Sequence, residues 1–240
     1  MTIAATSLPV LALAIAIITM ASAFQAGFGT GLGLLAVPLL SLVAPSFVPG
    51  PMLVSALSLS FAMAWRERHA LDRASVGLCI AGLLVGTVCG GIALAFIPRE
   101  AFRTIFGVAI LLAVLVSVIG AGVRMTPRAL VTGAALGGFI GTMSGMHGPP
   151  MAVVLQNEEA SRIRALLGAF FLVGASLSIT AQAAVGLFGW ESLLQGLLVT
   201  PGALLGSLIG VPIARVLNRQ IMRAALLGVS AISALVLLFS

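Results

Sequence analysis

The first charged side chain in this chain of 240 residues is Arg66. A stretch of that length without one ionised group has no place on the surface of a water-soluble fold, where about a quarter of residues are charged. Here 8% are charged and 60% are hydrophobic, and lysine is absent. The apolar runs are long enough to cross lipid repeatedly, since about 20 apolar residues at 1.5 Å each span a hydrocarbon layer of roughly 30 Å. The sequence therefore predicts a polytopic membrane protein. Its net charge of +6 comes from 12 arginines, all at the edges of apolar stretches. That placement fits orientation in a charged bilayer, so nucleic acid is excluded as a partner.

Cys79 and Cys89 share one apolar segment with no CxxC spacing and no histidine partner. No disulfide framework, metal site or cofactor is expected from them. The small-residue run Ala21-Ser22-Ala23 looks like a signal cleavage site, but no positive charge precedes the apolar run. We read the first segment as a retained membrane helix.

Two interruptions organise the chain. Gly27-Phe28-Gly29-Thr30-Gly31-Leu32-Gly33 breaks the first apolar stretch, and Gly141-Thr142-Met143-Ser144-Gly145-Met146-His147-Gly148-Pro149-Pro150 breaks a later one. A shift of 114 residues lays Gly27 on Gly141, Thr30 on Ser144 and Gly31 on Gly145. At a shift of 116, Gly86 and Gly90 fall on Gly202 and Gly206. The chain reads as two copies of one unit. The expected fold is an all-α polytopic membrane protein of two inverted repeats, each a glycine-broken helical hairpin plus three transmembrane helices. The first repeat is expected at 1–124, with the hairpin at 8–44 and helices at 46–65, 74–97 and 104–123. The second is expected at 125–240, with the hairpin at 129–157 and helices at 165–190, 192–214 and 224–240.

The arginines fix how the copies relate. If each break is the tip of a hairpin that returns to its own side, Arg66, Arg68, Arg73, Arg124, Arg128, Arg162, Arg164, Arg215, Arg219 and Arg223 share one face, leaving Arg99 and Arg103 on the other. That asymmetry matches the positive-inside rule. It predicts an inner (plasma) membrane protein with cytoplasmic Arg-rich loops and both termini outside.

A break within lipid leaves backbone groups unsatisfied unless they pack in protein or line a wet cavity. A helix that restarts there offers free N–H groups and a positive dipole end, which suits an anion. Paired broken helices near the midplane are a recurring design of secondary transporters. No Asp, Glu, Lys or Arg lies within an apolar span, so a carboxylate-built cation site has no residues to use. The candidate substrate residues are Gly27, Phe28, Gly29, Thr30 and Gly31, with Ser144, Gly145, Met146, His147, Gly148 and Pro149. Thr30 and Ser144 are the hydroxyls expected on the anion. His147 either bonds the anion, couples transport to a proton, or caps exposed carbonyls as a neutral ring. Glycines at four-residue spacing outside the breaks read as close helix contacts. Gln25 and Gln182 read as bridges between helices, and Trp65 and Trp190 as interfacial anchors.

The stretch GFGTGLGLLAVPLLSLVAP with the later basic RERHALD, and GTMSGMHGPPMAVVLQ with SRIRALLGAFFLVGASLS, resemble the paired motifs of the TauE/SafE family of sulfite exporters and organosulfur-anion permeases. The resemblance spans both halves. It implies a plasma-membrane transporter of a small sulfur-containing anion such as sulfite, thiosulfate or a sulfonate, held at the paired breaks. His147 departs from the small residue expected there. A coupling proton or cation and a homo-oligomer stay open as partners beside the anion and the lipid bilayer. A passive anion channel is the alternative function. An intramembrane hydrolase using Ser144 and His147 ranks last, because no acid is placed to orient the imidazole.

Overall fold

The computed structural model describes residues 7–98, 101–119, 123–214, 227–233 and 235–236. Among them every regular element is helical. The order is α1 (Leu8–Phe28), α2 (Leu32–Val43), α3 (Gly50–Arg66), α4 (Arg73–Phe96), α5 (Phe102–Ile119), α6 (Pro127–Ser144), α7 (Gly148–Val154), α8 (Ala160–Ala184) and α9 (Trp190–Ala214). The expected final helix at 224–240 falls mostly outside the described residues, which are helical at 227–233 and 235–236. Arg99, Arg215, Arg219 and Arg223 also lie outside them.

Four helices, α1, α4, α8 and α9, are long and apolar enough to cross a membrane. The chain is a multi-pass membrane protein. Both interruptions are present: α1 stops at Phe28 and α2 starts at Leu32, while α6 stops at Ser144 and α7 starts at Gly148. With 12 residues, α2 is about 18 Å long, and the seven residues of α7 reach only about 10 Å, so neither spans. Helix α3 begins at Gly50, after a single 3₁₀ turn at Pro45–Phe47, rather than at 46. The three prolines of Pro45-Ser46-Phe47-Val48-Pro49-Gly50-Pro51 hold the chain out of an α-helix until Pro51 can sit in a first turn. Helix α8 starts at Ala160, five residues before the expected 165.

The helices pair in a regular way. Helix α4 packs on α6 and α1 on α9; α3 packs on α8 and α9, and α8 on α3 and α4. Glycine lets the first two pairs approach closely. A Cβ on Gly86 would stand 1.9 Å from the carbonyl oxygen of Ala135, and one on Gly206 would stand 2.2 Å from that of Thr19. The expectation that these glycines serve packing therefore has a direct contact behind it.

The Arg-rich ends lie together. Arg164 Nε, in the first turns of α8, bonds Glu67 Oε1 at the end of α3 at 2.7 Å, and Arg162 stands 3.8 Å from Asp72. Asn157 Nδ2 donates to the Val123 carbonyl, which brings the segments around 123 and 157 to the same face. Trp65 and Trp190 are exposed at helix ends, and the Arg68 guanidinium lies 4.8 Å above the Trp65 ring.

Candidate functional site

Both breaks are made by a left-handed cap. Helix α1 ends on Gly29 at φ +88°, its N–H donating to the Gln25 carbonyl. Helix α6 ends on Gly145 at φ +85°, its N–H donating to the Gly141 carbonyl. A side chain is strained at such a φ, so glycine is what the sharp stop requires. The two caps are 116 residues apart, the register of Gly86 and Gly202, rather than 114. This register sets Gly29 on Gly145 and Thr30 on Met146. The shift of 114 instead pairs Thr30 with Ser144.

The breaks sit inside the bundle. Gly29 abuts Leu167 and the His147 ring abuts Gly174, which lie seven and fourteen residues into α8, or about 10 and 20 Å along it. They also touch each other. A Cβ on Gly33 would stand 3.1 Å from Met146 Cα, and one on Gly148 would stand 3.7 Å from the Thr30 methyl. Between them is a small cavity bordered by Gln25, Thr30, Gly31, Leu32, Gly33 and Leu34 on one side. Gly145, His147, Gly148 and Pro149 border it on the other, with Leu53, Ala56, Phe171 and Ala175 completing the wall. Its volume is about 20 Å³, enough for roughly one water-sized body.

The donors differ between the halves. The first residues of a helix have N–H groups without intrahelical partners. At α2, Leu32 N–H is taken by Gln25 Oε1 at 3.2 Å, whereas the Gly33 and Leu34 amides find no partner among the described residues. Gly33 and Leu34 are both among the residues that border the cavity. At α7, Pro149 and Pro150 have no N–H, so the Gly148 amide is the donor left at that start. The two restarting helices therefore differ in the amides they can offer.

His147 is fixed in place. Its ring fills the space left by Gly141, where an added Cβ would lie 2.2 Å from Cδ2, and it is flanked by Gly174. The ring meets Phe170 edge-on, with centroids 6.4 Å apart. Nε2 pairs with Ser178 Oγ at 2.9 Å, that hydroxyl pairs with Thr142 Oγ1 at 2.9 Å, and Gln182 Nε2 donates to the Thr142 carbonyl at 3.0 Å. A polar chain thus ties the second break to α8.

Of the residues singled out from sequence, Thr30, Gly31, Gly145, His147, Gly148 and Pro149 border the cavity. Gly27 and Phe28 face a different recess, and Gly27 packs on Gly210. Gly29 forms the cap. Ser144 is buried, its hydroxyl donating to the Ile140 carbonyl at 2.8 Å, and Met146 is buried against Gly33. Ser144 and His147 are therefore not a nucleophile and base pair, and among the described residues no group of three or more His, Cys, Asp or Glu could hold a metal. Gln25 belongs to the cavity as well as to the bridge between α1 and α2. An amide side chain four residues before a cap glycine was the available signal.

A family model described as Sulfite exporter TauE/SafE matches residues 13–237. Comparison with curated proteins gives no significant match, and neither does comparison with solved structures. The match takes in both breaks and nearly the whole chain, and on it this protein belongs to the TauE/SafE sulfite exporter family.

Proposed function

We propose that the protein is a secondary transporter that moves a small sulfur-containing anion, sulfite or a near relative, and holds it between the two breaks. The observation that carries this is the meeting of both breaks at one cavity where the Gly33 and Leu34 amides are unpartnered. Free amides at the start of a 12-residue helix favour a negative charge without any ionised side chain. Membership in a sulfite exporter family points to the same class of solute.

A cavity of about 20 Å³ is too small for a sulfur oxyanion, so loading requires the break segments or the α8 wall to move. That is the behaviour of a carrier with a closed state. We further infer that the halves are inverted repeats. Exchanging α1 with α6, α2 with α7, α3 with α8 and α4 with α9 maps the α4–α6 contact onto α9–α1 and the α3–α9 contact onto α8–α4. The end of α3 meets the start of α8 through Glu67 and Arg164, so these equivalent helices run in opposite senses. Arg-rich segments gathered on one face support placing that face in the cytoplasm.

The test is flux in proteoliposomes of the full chain with sulfite, thiosulfate, sulfoacetate, taurine and sulfate, with and without a pH gradient. Saturable movement of sulfite or a relative is expected, with sulfite affinity reduced in Thr30→Val. Absence of flux for every solute would defeat the proposal, and a pH profile unchanged in His147→Gln would remove proton coupling through that residue.

A further inference from the structure

A second recess, of about 360 Å³, is bordered by the last turn of α1 and by the Arg-bearing ends of α3 and α8. Its floor is the last turn of α1, Ala26, Gly27 and Phe28. Its polar wall is Arg66 and Glu67 from α3 with Arg164 from α8. Water occupies about 30 Å³ per molecule in the liquid, so the recess can take a small oxyanion with part of its hydration shell.

Three observations bear on its use. Arg66 forms no ion pair among the described residues, whereas Arg162 is held by Glu158 and Asp72. Arg164 is paired with Glu67 at 2.7 Å, with about a quarter of its side chain exposed, so its charge-assisted bond can be exchanged for one to an incoming anion. Gly29, which follows Phe28 of the recess and precedes Thr30 of the cavity, lies against Ile163, Leu167 and the aliphatic stem of Arg164. A group that leaves Arg164 thereby acts on a residue that touches the cap of the first break.

We propose that this recess is a loading site for the transported oxyanion, held by Arg66 and Arg164, with the Glu67 carboxylate occupying Arg164 whenever the anion is absent. The proposal rests on the transport reading above. One carboxylate against two guanidiniums leaves the site with a net positive charge that raises the local anion concentration, and bulk salt weakens that attraction over a Debye length of about 8–10 Å. Glu67 is a competitor that the anion must displace. Removing it should tighten loading, and removing either arginine should loosen it.

The experiment measures initial sulfite flux from each face of oriented proteoliposomes made with phosphatidylcholine alone and, in parallel, with phosphatidylglycerol added. Wild type, Glu67→Gln, Arg66→Gln and Arg164→Gln are compared, each first checked for monodisperse elution. From the Arg-rich face, Glu67→Gln should lower half-saturating sulfite about 3- to 10-fold, and each arginine variant should raise it by a similar factor, the differences shrinking in added KCl. Half-saturation from the opposite face should stay unchanged. Unchanged values at the Arg-rich face, or equal changes at both faces, would overturn the loading site while leaving sulfite transport intact. If the arginine effects arise only when phosphatidylglycerol is included, the recess binds a lipid phosphate and the proposal fails. A wild type that moves no sulfur anion would sink this site together with the transport reading.

Discussion

Gly141→Ala should destabilise the protein, and the same substitution should stabilise it once His147 is alanine. The reasoning starts from the helix. Alanine in place of an interior glycine gains about 1 kcal/mol of helix propensity. Against that, the new Cβ would stand 2.2 to 2.4 Å from three atoms of the His147 ring. The ring has little room to retreat, because Gly174 lies on it at 2.9 Å from its own would-be Cβ and Phe170 meets it edge-on. Forcing extra volume into such a place costs about 1–3 kcal/mol. Displacing the ring also breaks its 2.9 Å bond to Ser178 and strands a buried polar group, about 1–3 kcal/mol more. The net loss for Gly141→Ala is about 3 kcal/mol. In His147→Ala the collision is gone and the propensity gain of about 1 kcal/mol remains, so the coupling between the sites is about 4 kcal/mol. Reversible unfolding of the four proteins of this cycle in one detergent measures it. Additivity within about 0.5 kcal/mol, or Gly141→Ala destabilising by the same amount in both backgrounds, would refute the argument that Gly141 exists to admit the imidazole.

Gly86→Ala places a Cβ 1.9 Å from a backbone oxygen that cannot swing aside, so α4 and α6 must part and about 3 kcal/mol of stability or more should be lost. Gly77→Ala, in the same helix with nothing within 4 Å, should gain about 0.5–1 kcal/mol by the same unfolding assay. Gln25→Leu removes the acceptor of the Leu32 amide and should cost about 1–3 kcal/mol, while Gln25→Glu, which keeps an acceptor, should lose less. Asp72 caps α4, and the Ser75 hydroxyl at 2.6 Å, then the Ala74 amide, hold its carboxyl below the ordinary value of 3.8. Its contribution is present above that value and fades as pH falls through the lower folded-state pKa. The difference in melting temperature between wild type and Asp72→Ala should therefore be constant near neutrality and shrink below pH 3.8.

The membrane architecture was legible because its cause is one-dimensional. Twenty apolar residues with no charge have a single use, and glycine clusters inside such runs mark where a helix stops. Gly86 and Gly206 were readable as contacts for a similar reason: small residues at helical spacing in lipid serve close approach. The chemistry of the breaks was harder to read, since it depends on where side chains turn. Ser144, taken for a substrate hydroxyl, satisfies itself on the Ile140 carbonyl, a local bond open to any serine four residues past a carbonyl in a helix. Gly27 borders the recess at the Arg-rich end rather than the cavity between the breaks, and α9 packs on it through Gly210. The donor asymmetry is readable in Pro149-Pro150, which cannot offer amides.

In the inverted-repeat reading proposed above, with the cap glycines Gly29 and Gly145 aligned, the halves compensate each other. Gly141 of α6 corresponds to Gln25 of α1, and His147 after the second cap corresponds to Gly31 after the first. In the first half the long arm supplies the polar side chain, with Gln25 reaching across to the Leu32 amide, and the returning strand supplies the glycine, whose Cβ would meet Phe24 at 2.8 Å. In the second half the returning strand supplies the side chain and the long arm supplies the space, Gly141 admitting the imidazole. Each hairpin tip thus holds one polar side chain and one glycine in exchanged positions. A break in lipid leaves backbone groups to be satisfied and a gap to be filled. In the second half one side chain does both, Gly141 leaving room for the His147 ring, whereas the space at Gly31 is closed by Phe24 and the Gln25 backbone. The exchange also sets the difference in chemistry: Gln25 occupies only the first of the three N-terminal amides of α2 and leaves Gly33 and Leu34 free, whereas His147 turns its Nε2 away to Ser178. The two breaks, filled in opposite ways, thus present different groups to the cavity between them.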